Sequence, residues 1–239
     1  MTDARPVVLL PGWSVAADAF VRLTASDDAV VVADFAAADS PAAFVTAARA
    51  AIAACPTPPI VLGWSLGALV ALEVVSEEAE AVHSLSLISA PDRFVRHGAA
   101  DLPGWSPRVL ERMDQAIDDD RAGALGAFDA ALFSDDDRTA GVPARWTREP
   151  GTGAWPDAAL HAGLAYLRTV QIDPATVAVP VSLFHGGSDP ICPLARAERL
   201  ADGLAEVTLT VVPGAGHAPF LSDSERFLTW RAATVLACG

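Results

Sequence analysis

The sequence predicts an α/β protein: a mostly parallel sheet of about six strands, flanked by helices and interrupted by one helical insertion. Three observations carry that expectation. Short apolar runs recur at residues 7–10, 30–33, 60–62, 85–88, 181–184 and 207–212. They are rich in Val, Ile and Leu and lack the alternation of a half-wet strand, which suits strands covered on both faces. Alanine-rich stretches of helical length lie between several of them, and this alternation implies parallel strands joined by right-handed crossovers. From Asp92 to Asp173 no strand-like run occurs, so 92–173 is expected to be a helical lid inserted into a core made of 1–91 and 174–239.

Taken in order, the first strand, 7–10, opens into Pro11-Gly12-Trp13-Ser14, and 30–33 is the second. A helix is expected over 41–54. The strand 60–62 leads through Gly63-Trp64-Ser65-Leu66-Gly67 into a helix over 66–76, and 85–88 follows. Within the insertion, helical stretches at 107–117 and 123–133 alternate with acidic or Gly/Pro-rich turns. Trp105, Phe128, Phe133, Trp146, Trp155 and Tyr166 are spread through it, as expected of a lid sharing apolar surface with a pocket beneath. The strand 181–184, a helix over 193–201, the strand 207–212 and a helix over 224–237 complete the core.

A chain of 239 residues can bury one sizeable core. Its 52% hydrophobic content argues against disorder. The segment Met1-Thr2-Asp3-Ala4-Arg5-Pro6 has no basic stretch followed by an apolar one, so no secretion signal is expected. The most apolar stretch, 59–75, is interrupted by Ser65, two glycines and Glu73, which fits a buried strand and packed helix better than a membrane span. Cys55, Cys192 and Cys238 show no C-x-x-C spacing and read as reduced cytoplasmic thiols, indicating neither a disulfide framework nor a zinc site. All 16 basic residues are arginine, set against 30 acidic ones for a net charge of −14. Nucleic acid and anionic membranes are poor partners for such a field. Most of these charges read as a solvated acidic surface, from a GC-rich genome or a salty cytoplasm.

Chemistry enters at Ser65. A serine with glycines two residues to either side can occupy a tight strand-to-helix turn that lifts its hydroxyl above the carboxyl edge of the sheet. Alone the pattern often marks only a turn, so its partners matter. A serine hydroxyl is a weak nucleophile until a base takes its proton. His217, in Val212-Pro213-Gly214-Ala215-Gly216-His217, follows the last strand in a loop able to swing an imidazole over that edge. His83, His97, His161 and His185 fit core or surface roles. Asp189, on a Gly-Gly-Ser turn after 181–184, is placed to accept the Nδ1 proton of His217. An ordinary Asx turn before Pro190 is its bland alternative, and Asp92 is the reserve acid. The backbone N–H of Leu66 and, because Pro11 has none, that of Trp13 are the expected oxyanion donors. The indole of Trp13 could also wall the pocket or cap the sheet's end.

Together these residues resemble the α/β-hydrolase superfamily from Val7 to the carboxyl end. They are similar in particular to the pimeloyl-[acyl-carrier-protein] methyl ester esterases of biotin synthesis. The likeness lies in Leu10-Pro11-Gly12-Trp13, in Leu62-Gly63-Trp64-Ser65-Leu66-Gly67 and in His217-Ala218-Pro219-Phe220-Leu221-Ser222, with further agreement over 103–110 and 163–170. The resemblance implies a Ser65–Asp189–His217 triad and an oxyanion site at Trp13 and Leu66. It also implies an acyl chain contacted by Trp13, Phe128, Asp129, Ala130, Ala131 and Leu132. The implied enzyme is a cytoplasmic, monomeric serine carboxylesterase that needs no metal or organic cofactor and takes a small-molecule or carrier-bound ester. Three departures stand out. Pro11 replaces a histidine, the amino-terminal hairpin is missing, and the lid is acidic at Asp118-Asp119-Asp120 and Asp135-Asp136-Asp137. Gly123 and Ala127 replace arginines, leaving Arg121, Arg138, Arg145 and Arg148 for a basic patch. A broad short-chain esterase, thioesterase or lactonase is the competing enzyme reading. Dehalogenation is disfavoured by serine at the turn, and a non-catalytic ligand-binding module by the complete triad.

Overall fold

A computed structural model describes residues 5–16, 30–98, 100–146 and 155–236. Its centre is a parallel six-stranded sheet in the order β2-β1-β3-β4-β5-β6. The strands are β1 (Val7–Leu10), β2 (Val30–Val32), β3 (Ile60–Trp64), β4 (Ser84–Ile88), β5 (Val181–Gly186) and β6 (Val207–Val212). Each expected strand is present, three of them one or two residues longer than expected and β2 one residue shorter. The four inner strands are almost wholly buried, as continuous apolar runs require, whereas the edge strands β2 and β6 are largely half-buried. Full coverage therefore fails only at the edges, where each strand has a single neighbour.

Crossovers supply the flanking helices α1 (Pro41–Ala53), α2 (Leu66–Glu77) and α7 (Leu194–Gly203), and α9 (Ser224–Leu236) follows the last strand. Between β4 and β5 lie α3 (Pro107–Ala131), α4 (Asp135–Thr139), α5 (Pro143–Trp146) and α6 (Asp157–Thr169), and α8 (Pro219–Ser222) follows β6. Helix α2 is apolar nearly all round, and Leu66, Leu69, Val70, Leu72, Val74 and Val75 are all buried. At about 1.5–3 kcal/mol per large apolar side chain, this helix anchors the residue that precedes it. Helix α3 breaks at Asp120, whose φ of −152° is not helical. Its carboxylate accepts the Gly123 N–H at 3.0 Å and so restarts the helix, which keeps the two expected helical stretches distinct.

The register aligns the carboxyl ends of the strands. Leu10 pairs with Gly63, Trp64 with Ile88, Ile88 with Phe184, and Gly186 with Val212. Strand order reverses between β1 and β3, so the loops after these two adjacent strands face each other at a topological switch point, where open α/β sheets bind ligands.

The aromatic residues of the inserted segment divide between two roles. Phe128 meets Trp13 edge-on at 4.9 Å and lies 6.4 Å from Trp105, over the sheet's carboxyl edge. Trp155 and Tyr166 instead pack into the core. Trp155 stacks on Phe44 of α1 at 5.6 Å, and the Tyr166 hydroxyl donates to Glu73 of α2 at 2.7 Å. Their spread along the sequence does not signal this division, which arises because α6 carries an apolar face that docks on α1 and α2. Among the described residues no helix is long and apolar enough to cross a membrane.

Candidate active site

Ser65 sits between β3 and α2 with φ +54° and ψ −112°, a conformation most side chains avoid. Its N–H donates to the Ile88 carbonyl, and its own carbonyl accepts from Ala68 and Leu69, so strand and helix hold the turn from both ends. The flanking glycines are required by close approach. A β-carbon on Gly67 would collide with the Leu10 carbonyl, and one on Gly63 would lie 2.8 Å from the Ala68 Cα.

The loop after β6 carries His217 from the sheet's edge back over β5 and β4 to β3. Ser188 N–H donates to Ala215 O, Ser89 Oγ to His217 O at 3.0 Å, and the Trp64 indole N–H to the same carbonyl at 2.9 Å. The His217 N–H donates to Leu132 O at 2.7 Å. With its backbone fixed on both sides, the buried ring reaches Ser65 Oγ through Nε2 at 2.8 Å and Asp189 Oδ2 through Nδ1 at 2.8 Å. The other Asp189 oxygen accepts the N–H groups of Ile191 and Cys192, each at 2.8 Å. Burial pushes the Asp189 carboxyl up, but the charge and hydrogen bond of His217, with help from His185 and Cys192 N–H, outweigh it and hold the group below its ordinary value.

His185 lies beneath this pair, 1% exposed, with Nε2 bonded to the Cys192 carbonyl at 2.8 Å and 3.6 Å from Asp189 Oδ2. Burial lowers its pKa and favours the neutral ring. Cys192 is also buried, and burial with the Asp189 charge pushes its thiol well up, so it is no nucleophile. Asp92, the reserve acid, is committed elsewhere, within 3.3–3.6 Å of Arg93, Arg196 and Arg199. Of the other histidines, His83 is half-buried, and His161 bonds Asp114 in the inserted segment.

Trp13 is buried beside the serine turn, its indole N–H donating to Leu160 O of α6 at 2.9 Å. Leu66 is the first residue of α2, so its N–H lies ahead of the intrahelical ladder and is available to an outside acceptor. Of the expected acyl contacts, Phe128 does face Trp13. Ala130 is exposed, Asp129 and Ala131 are half-buried, and Leu132 is buried with its carbonyl spent on His217. Three of the four arginines expected in a basic patch have other partners. Arg121 pairs with Asp157 at 2.7 Å, Arg138 with Asp135 at 2.8 Å, and Arg145 donates to Leu221 O at 2.6 Å, while Arg148 lies outside the described residues. Among the described residues no His, Cys, Asp or Glu cluster could hold a metal ion.

A family model described as the alpha/beta hydrolase family matches residues 7–230. The chain belongs to the α/β hydrolase family. Among relatives of this hydrolase is a pimeloyl-[acyl-carrier protein] methyl ester esterase of Nitrosomonas europaea, 34% identical over 71% of this chain and 68% of that one. Another of the same name from Edwardsiella ictaluri is 29% identical over 93% and 90%. Solved structures with the same fold include an esterase from Exiguobacterium antarcticum, with TM-score 0.78 at 19% identity over 97% of this chain and 91% of that one. A bromoperoxidase from Bacillus anthracis has TM-score 0.78 at 15% identity, over 98% and 92%. One fold thus carries different reactions, and the reaction of this hydrolase has to be argued from its site.

Two residues of the site were not anticipated. Ser89, with φ +49°, holds the His217 carbonyl, and nothing in the sequence around it signals that. Asp137, read as one of three solvated acids, is 3% exposed and bonded to the histidine loop. Its signal was present: Ser134 and Asp137 have the spacing of a capping box, and both halves of that box form.

Proposed function

We propose that this protein is a serine carboxylesterase. The observation that supports it is the unbroken relay from a serine at positive φ through His217 to a buried carboxylate, each link 2.8 Å. Ser65 Oγ attacks the ester carbonyl while His217 Nε2 takes its proton. Asp189 accepts the Nδ1 hydrogen bond, selecting the tautomer with Nε2 free and stabilising the imidazolium that forms. The N–H groups of Leu66 and Trp13 receive the developing oxyanion, and losing one such donor typically costs about 2.7–4 kcal/mol. His217 then protonates the departing alkoxide, and a water activated by the same ring hydrolyses the acyl-enzyme. Within the segment 92–173, the part that carries Phe128 serves as the lid, with Phe128 and Trp13 as the acyl wall.

The names of its relatives support a methyl ester of a pimeloyl-type acyl chain as the substrate, released as methanol plus the acid, and the resemblance of its motifs to the esterases of biotin synthesis supports a role there. A second reading, a broad short-chain esterase acting on free esters, is favoured by the charges. Asp135 and Asp136 are exposed on the inserted segment, and Arg121 and Arg138 are already neutralised by carboxylates. An acidic carrier would be repelled by this face at low salt.

Purified protein is expected to hydrolyse p-nitrophenyl acetate and butyrate, and Ser65→Ala to abolish turnover without loss of fold. Undiminished turnover in that variant would end the esterase reading. Expression in a host lacking its own methyl ester esterase separates the two substrates: biotin-independent growth supports the pimeloyl ester, and no growth despite good expression supports the broad esterase.

A further inference from the structure

We propose that Asp137 is a positioning residue for His217, making the stretch from Leu132 to Trp146 a brace for the histidine loop. This rests on His217 being the general base. Asp137 Oδ2 accepts the Gly216 N–H at 2.7 Å and the Ser134 N–H at 3.2 Å, and Oδ1 accepts the Ser222 hydroxyl at 2.7 Å. One carboxylate thus grips the loop at the residue just before His217 and again five residues after it.

The neighbouring contacts work in the same direction. Ser134 Oγ donates to Gly214 O at 2.5 Å, Leu132 O takes the His217 N–H at 2.7 Å, and Arg145 donates to Leu221 O at 2.6 Å. Trp146 meets Trp64 edge-on at 5.8 Å, and Trp64 in turn holds the His217 carbonyl. The approach is close enough to exclude a side chain, since a β-carbon on Gly216 would lie 2.5 Å from Leu132 O and 2.8 Å from Asp137 Oδ2. Among the described residues, the hydrogen-bond partners of the Asp137 carboxylate belong to its own capping turn or to this loop, and none is a residue of the relay or the acyl wall. Its removal therefore acts on the aim of the imidazole and leaves substrate contacts alone.

Misplacing a catalytic group by about 1 Å can cost on the order of 10²-fold in rate. Asp137→Ala is expected to lower kcat for p-nitrophenyl butyrate by roughly 10- to 100-fold, with KM changed less than about twofold. The assay is run well below each variant's Tm, where a merely structural role would leave kcat untouched. Asp137→Asn is expected to stay within about threefold of wild type, because its carbonyl oxygen can serve both N–H donors while its amide donates to the Ser222 oxygen. Ser222→Ala, which removes one half-buried bond, is expected to lower kcat about two- to fivefold and gives the test a footing if Asp137→Ala does not fold. A folded Asp137→Ala with wild-type kcat overturns the proposal, as do an inactive Asp137→Asn or an unaltered Ser222→Ala. Turnover surviving in Ser65→Ala or His217→Ala would instead sink the catalytic reading, so the two failures are distinguishable.

Discussion

Replacing Asp189 by asparagine tests the relay most sharply, because the surrounding backbone dictates how the amide must sit. Oδ1 of Asp189 is held by two N–H donors, those of Ile191 and Cys192, at 2.8 Å. In Asp189→Asn the carbonyl oxygen has to take that position, since an NH2 group there would face two donors. The amide nitrogen is then turned towards His217 Nδ1, at the place where Oδ2 now accepts at 2.8 Å. Facing a donor, Nδ1 must give up its proton, the ring shifts to the tautomer carrying hydrogen on Nε2, and that nitrogen can no longer accept the proton of Ser65. A wrong tautomer of this kind costs about 10⁴-fold in kcat, or roughly 5 kcal/mol of barrier. Burst and steady-state kinetics on p-nitrophenyl butyrate, with the fold checked by circular dichroism, measure it. Asp189→Ala provides the contrast: it gives up both backbone contacts and loses stability, yet imposes no tautomer. The asparagine variant is therefore expected to be the more stable and no more active of the two. Activity in folded Asp189→Asn within tenfold of wild type would refute the reasoning.

Three further outcomes are expected. Arg196, 1% exposed, binds Asp92, Asp101 and the carbonyls of Leu102 and Pro103, so Arg196→Ala leaves both carbonyls without this donor and Asp92 with only Arg93 and Arg199 as charge partners. It should cost about 1.5–3 kcal/mol, a fall in Tm of roughly 3–12 °C by calorimetry. Gly67→Ala drives a β-carbon into the Leu10 carbonyl, a backbone atom that cannot swing aside, and should destabilise by at least roughly 3 kcal/mol while abolishing turnover. His161 is held above its ordinary pKa, chiefly by its hydrogen bond to Asp114. Its contribution is complete below the unfolded-state pKa and is lost as pH rises through the folded one, so the Tm gap between wild type and His161→Gln should close as pH rises above the free imidazole's value of about 6.5. A gap that widens over that range would contradict the assignment.

The sequence made the sheet legible because its strands are short, apolar and spaced by helices. It made the relay legible because each member follows a strand and all strands end on the same edge. Ser65, Asp189 and His217 needed only chain order and loop position to be nominated, and the register Leu10–Gly63, Trp64–Ile88, Gly186–Val212 is what brings their loops to one rim. What stayed hidden depends on contacts between segments remote in the chain. Asp137 looks solvated beside Asp135 and Asp136, and only the return of residues 214–222, some 80 positions later, buries it. Trp155 and Tyr166 look like lid residues until Phe44 and Glu73, more than 90 positions earlier, turn out to receive them. Ser89 reads as an unremarkable strand end until His217 arrives over it. The members of the relay announce themselves by local turn chemistry, while the groups that aim them are specified by tertiary packing. The histidine loop is therefore held by the inserted segment as well as by the core, and under the proposed mechanism a change in that segment is expected to alter kcat without touching substrate.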